Sequence, residues 1–97
     1  MLLKDKVVIV TGVGPGMGRK LALIAAAEGA KVAVSARTQS FIEGVVGEIE
    51  AKGGRAIAVP TDVADMGQCE HLAARTLDAF GRIDGLVNSA RAHGPFI

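Results

Sequence analysis

The chain has 97 residues, 49% of them hydrophobic, with 11 Lys and Arg against 10 Asp and Glu and a formal net charge of +1. That is one small domain with enough apolar residues to build a core, which excludes a disordered chain. The charges are scattered without a basic stripe, and with no Trp, no Tyr and only three Phe there are few base-stacking platforms, so no nucleic-acid partner is expected.

The opening MLLKDKVVIV is broken by Lys4, Asp5 and Lys6, which is not how a signal peptide reads. No apolar run approaches the roughly 20 residues needed to span a bilayer. A cytoplasmic protein without a membrane partner is expected. Residues 6–11, KVVIVT, are β-branched and apolar on both faces, the pattern of a buried parallel strand. A glycine-rich loop follows. Met17, Leu21, Ile24 and Ala25 then recur at helical spacing as far as Glu28, and Gly29 ends that helix. Residues 31–35, KVAVS, form a second strand.

Ser40 and Glu43 have capping-box spacing, which predicts a helix start there. Ile42, Val45, Val46 and Ile49 give that helix one apolar face, weakened by Gly44 and Gly47 at about 1 kcal/mol each. Gly53 and Gly54 stop it, and residues 55–60, RAIAVP, make a third strand. Asp65 and Gln68 repeat the capping spacing and open a third helix, with Cys69, Leu72, Ala73, Thr76 and Phe80 on its buried face and Gly81 at its end. The single cysteine, Cys69, cannot form an internal disulfide and is expected to be a buried apolar residue. Residues 83–88, IDGLVN, read as a fourth strand, and SARAHGPFI as loop.

This β-α-β-α-β-α-β order predicts an open α/β fold with a parallel sheet, right-handed crossovers and helices on both faces. Ligands of such sheets bind beyond the carboxyl ends of the strands. The loop TGVGPGMG lies there, with four glycines between strand and helix. Helix amides left without partners, carrying the positive end of the macrodipole, favour a phosphate once side chains are removed. A nucleoside-triphosphate loop would need Gly-Lys-Ser/Thr, whereas here Lys20 follows Arg19 and precedes Leu21. The G-x-G-x-x-G spacing fails as well, since the third glycine would fall on Met17 or Arg19.

The spacing present is Thr11-Gly12-x-x-x-Gly16-x-Gly18. It resembles the glycine motif of the short-chain dehydrogenase/reductase family. The likeness extends along the chain: an opening DKVVIVTG, Asp62-Val63 after the third strand, Gly81-Arg82-Ile83-Asp84 leading into the fourth, and Asn88-Ser89-Ala90-Arg91 where the family has Asn-Asn-Ala-Gly. The last stretch departs from the family in Ser89 and Arg91. The resemblance implies a three-layer Rossmann-type parallel sheet of strand order 3-2-1-4, with residues 1–97 as the N-terminal dinucleotide-binding part of a longer domain. Gly12, Gly16 and Gly18 would let the backbone approach the pyrophosphate, with Gly14 and Met17 counted beside them as cofactor-binding residues. Asp62 would accept from the adenine amino group with the Val63 backbone beside it, and Asn88 would brace the neighbouring strand and line the adenosine pocket, with Ala90 a further cofactor-binding residue.

In the family an acidic residue at the end of the second strand holds the ribose of NAD. That position aligns with Ala36, and Arg37 follows it. A guanidinium can grip a 2′-phosphate through two charge-assisted hydrogen bonds, with Ser35 and Thr38 as hydroxyl donors. NADP(H) is therefore expected over NAD(H). The family's catalytic Tyr and Lys lie beyond residue 97, and this chain has no Tyr, so no catalytic residue is assigned within it. His71 is expected to be a solvated helix residue and His93 a loop residue; no metal site is expected. The implied parent is an oxidoreductase moving hydride between the nicotinamide and a small-molecule carbonyl or secondary alcohol, and forming homo-oligomers. The alternative is a non-catalytic module that binds a nucleotide or associates through its free edge strand.

Overall fold

The computed structural model describes residues 3–13, 16–62 and 64–88. Four strands and three helices alternate: β1 (Val7–Thr11), α1 (Met17–Ala27), β2 (Lys31–Ala36), α2 (Gln39–Ala51), β3 (Arg55–Pro60), α3 (Met66–Phe80) and β4 (Gly85–Asn88). The strands form one parallel sheet in the order β3-β2-β1-β4. Val10 lies opposite Val34 of β2 and Val87 of β4, and Ser35 opposite Val59 of β3. The Rossmann-type order expected from the sequence is the observed one.

Strand periodicity divides the apolar side chains between two faces. Val8, Val10, Val32 and Val34 pack with Ala22 and Ala25 of α1 and with Ile42, Val45 and Ile49 of α2. Ile9, Ala33 and Val59 meet Leu72 of α3 on the other face. The sheet is thus a middle layer, which is why β1 is buried along its whole length. Fully burying each of Ile42, Val45 and Ile49 is worth about 1.5–3 kcal/mol. That outweighs the cost of about 1 kcal/mol for each of Gly44 and Gly47 in the helix interior.

α1 ends as expected. Glu28 is its C-cap, Gly29 turns left-handed at φ 96, and the Gly29 and Ala30 amides donate to the carbonyls of Ala26 and Ala25. The start of α2 differs from expectation. The helix begins at Gln39 with Thr38 as an extended N-cap that makes no side-chain cap bond. Ser40 is already inside it, and the Glu43 carboxylate accepts from the Gln39 side-chain amide at 2.8 Å rather than from a cap residue. α3 follows the sequence more closely, with the Asp65 carboxylate accepting from the Gln68 amide at 3.2 Å. Of its expected buried face, Leu72 and Thr76 are buried, while Cys69, Ala73 and Phe80 are half-buried. β4 is two residues shorter than expected, because Asp84 serves as a bracket between strands rather than as a strand residue. Among the described residues, no helix is long and apolar enough to cross a membrane.

Candidate functional site

The carboxyl ends of the four strands share one edge of the sheet, and the loops that leave them are tied together by backbone bonds. The Val13 amide donates to the Ser35 carbonyl at 2.9 Å, which pins the glycine loop to the end of β2. The Thr61 amide donates to the Ala36 carbonyl at 2.9 Å, which pins the exit of β3 to the same place. The Thr11 hydroxyl lies 3.3 Å from Asn88 Oδ1, so the last residues of β1 and β4 are joined through their side chains. The candidate residues Gly12, Gly16, Met17, Gly18, Arg37, Thr38, Asp62 and Asn88 therefore meet along a single edge.

The glycine loop leaves the start of α1 open. Gly12 has φ 68, a left-handed turn that redirects the chain from strand to helix. A Cβ on Gly16 would meet nothing within 4 Å, so no neighbour within the described protein requires a glycine there. The first turn of α1 carries no acidic residue, and its N-cap, Gly16, offers no side-chain hydrogen bond. The amides of that turn lack intrahelical acceptors by construction, and the positive end of the dipole is unopposed. An anion is the complement of this arrangement.

Arg19, also in that turn, is engaged elsewhere. Its guanidinium makes a two-pronged pair with Glu48 of α2, Nε donating to Oε2 at 2.9 Å and Nη2 to Oε1. The hydrogen bond from Arg19 holds the Glu48 carboxyl below its ordinary pKa. Arg19 thereby links α1 to α2 on the outer face instead of pointing its charge along the loop.

At the end of β2, Ala36 is half-buried and Arg37 and Thr38 are exposed. Arg37 has no ion-pair partner among the described residues. Ser35 corrects the expectation made for it: the residue is fully buried and its Oγ has no hydrogen-bond partner among the described residues, so its hydroxyl is not presented beside Arg37. Strand alternation places its side chain on the α3 face together with Ala33. Its contribution to the edge comes through its carbonyl.

After β3, Asp62 shapes the turn into α3. Its Oδ1 accepts from the Ala64 amide at 3.0 Å, and its own amide donates to Gln68 Oε1 at 2.7 Å. One carboxylate oxygen is thus used by the turn, while Oδ2 has no partner among the described residues. Gly14, Val63 and Ala90 lie outside the described residues, as does His93. His71 is exposed, as expected. No group of three His, Cys, Asp or Glu side chains able to hold a metal occurs among the described residues. What sequence reasoning missed are the clasps made by the Ser35 and Ala36 carbonyls, for which side-chain patterns carry no signal.

The family model for short chain dehydrogenase matches residues 6–96. The chain belongs to the short-chain dehydrogenase family. Among curated relatives of this dehydrogenase segment, it is 46% identical over 89 residues to a 3-oxoacyl-[acyl-carrier-protein] reductase of Synechocystis sp., covering 91% of this chain and 36% of the relative. Among solved structures, a hydroxysteroid dehydrogenase from Escherichia coli superposes with a TM-score of 0.90 at 36% identity, covering 96% of this chain and 40% of that one. A metagenomic short-chain oxidoreductase in complex with NADP gives a TM-score of 0.87 at 33% identity, covering 99% of this chain and 45% of that one. The short-chain dehydrogenase segment therefore spans about two-fifths of the length of the proteins it matches.

Proposed function

We propose that these residues form the NADP(H)-binding part of a short-chain dehydrogenase. The parent protein moves hydride between the nicotinamide and a carbonyl or secondary alcohol. The amides that open α1 receive the pyrophosphate, with Gly12, Gly14, Gly16 and Gly18 leaving room for it. Asp62, with an oxygen to spare, accepts from the adenine amino group, and Val63 lies beside the ring. Asn88 and Ala90 line the adenosine pocket. Residues beyond this segment supply the proton donor and the substrate pocket, so the 97 residues alone are inactive.

One observation carries the choice of dinucleotide. Where β2 ends, the chain presents the small apolar Ala36 and then an exposed Arg37 without an ion-pair partner among the described residues, and no carboxylate. A carboxylate there would hold a ribose diol and repel a 2′-phosphate. A free guanidinium does the reverse, and the Thr38 hydroxyl beside it adds a donor. The relative bound to NADP supports the same reading.

Titration of the full-length protein with NADP(H) and with NAD(H) at low salt tests it. NADP(H) binds at least about tenfold more tightly, the equivalent of one charge-assisted contact. Equal affinities, or tighter NAD(H), overturn the assignment.

A further inference from the structure

Resting on this reading of the site, we infer that Met17 is a peroxide-sensitive modification site, and that its conversion to the sulfoxide closes the cofactor cradle. Met17 is the first residue of α1, directly after Gly16, and it is 69% exposed. Large apolar side chains of this domain are mostly packed against the sheet. This one stands in solvent at the mouth of the phosphate-binding turn, where a peroxide can reach it.

The chemistry needs hydrogen peroxide and no other reactant. The thioether sulfur donates a lone pair to one peroxide oxygen as the O–O bond breaks. A sulfur–oxygen bond forms, and the other oxygen leaves as water after proton transfer. The sulfur is oxidised by two electrons and the peroxide is reduced. An apolar side chain becomes a polar one whose oxygen is a strong hydrogen-bond acceptor.

The position decides what that oxygen does. The first turn of α1 has no side-chain cap and no acidic residue. A sulfoxide tethered at its first position competes with the diphosphate for the same amides. Met66 provides a contrast within the molecule. It is 77% exposed at the first position of α3, but that turn is already capped by the Asp65 carboxylate. Oxidised Met66 therefore finds a terminus that is already served. A bound dinucleotide would cover Met17, so the vacant protein is the sensitive form.

The test uses the full-length protein, hydrogen peroxide and NADP⁺. Peptide mass analysis follows Met17 and Met66 with and without NADP⁺, and the dissociation constant for NADP⁺ is measured before and after treatment. Met17 is oxidised in the free protein and shielded by NADP⁺. Binding weakens about tenfold, as expected for loss of one charge-assisted contact, and methionine sulfoxide reductase restores it. For Met17→Leu, the ratio of constants before and after peroxide stays within about twofold, whereas Met66→Leu loses affinity as the parent does. Failure of the untreated protein to bind either dinucleotide overturns the reading of the site, and this inference with it. Normal binding that survives oxidation of Met17, an unoxidised Met17 beside an oxidised Met66, or equal loss in Met17→Leu overturns the inference alone.

Discussion

Asp84 and Val7 exchange two hydrogen bonds across 77 residues of sequence. The Val7 amide donates to Asp84 Oδ2 at 2.8 Å, and the Asp84 amide donates to the Val7 carbonyl at 2.8 Å. One residue thus closes the amino end of the β1–β4 pairing with both its backbone and its side chain. Arg82 holds the other carboxylate oxygen, Nε donating at 3.1 Å. This bracket sets the register that later brings Thr11 level with Asn88 at the carboxyl edge of the sheet.

The bracket predicts a dependence on pH. Hydrogen bonding from Arg82 first, and from the Val7 amide second, holds the Asp84 carboxyl below its ordinary value of 3.8. A carboxyl with a depressed folded-state pKa contributes stability that is complete above the unfolded value and is lost as pH falls through the folded one. Asp84→Ala lowers the thermal midpoint by about 5 °C at neutral pH. The gap between the parent protein and Asp84→Asn is constant near neutrality and narrows on acidification below the ordinary carboxylate range. A gap that widens with acid contradicts the account.

Glycines of α2 and its exit separate by what surrounds them. Gly44 and Gly47 are exposed within the helix, and a Cβ on either meets nothing within 4 Å. Gly44→Ala and Gly47→Ala each raise stability by up to about 1 kcal/mol in urea denaturation. A Cβ on Gly54 would lie 2.7 Å from Ile49 Cγ2 and 3.2 Å from the Ile49 carbonyl oxygen. Ile49 is buried and both its methyl and its backbone carbonyl would have to give way, so Gly54→Ala costs about 1–3 kcal/mol. Destabilisation by Gly44→Ala, or neutrality of Gly54→Ala, would count against this packing.

The two capping patterns show where the sequence was legible and where it was not. Asp65-x-x-Gln68 opens α3 as read, because the Asp65 carboxylate has the Gln68 amide within reach. Ser40-x-x-Glu43 has the same spacing and caps nothing, because Gln39 engages Glu43 one turn away and the helix begins earlier. Spacing alone cannot distinguish the two, since the outcome depends on which neighbour claims the acidic side chain. Strand order and the two-faced core were legible because periodicity encodes burial directly. The buried Ser35 hydroxyl, the Arg19–Glu48 pair and the Asp84 bracket were not, because each depends on residues distant in sequence or on a backbone partner. Mutation separates the caps: Asp65→Ala costs about 1 kcal/mol in chemical denaturation, while Ser40→Ala costs nothing or slightly stabilises.

The end of β2 carries no charge at Ala36, where a carboxylate would decide between the two dinucleotides. Ala36 is half-buried, and its carbonyl holds the Thr61 amide, so its backbone is fixed by the sheet whatever its side chain. Ala36→Asp therefore places a carboxylate at this edge without moving the strand. That carboxylate can accept from the two hydroxyls of an unphosphorylated ribose, and it repels a 2′-phosphate while drawing Arg37 into an ion pair. Affinity for NADP(H) falls at least about tenfold, and affinity for NAD(H) rises or holds, so the ratio inverts. Arg37→Ala lowers NADP(H) affinity without improving NAD(H), because it removes an attraction and adds no ribose acceptor. Isothermal titration of both dinucleotides against the parent and the two variants reads the four changes directly. Parallel losses for both cofactors in Ala36→Asp would mean that this edge does not face the ribose.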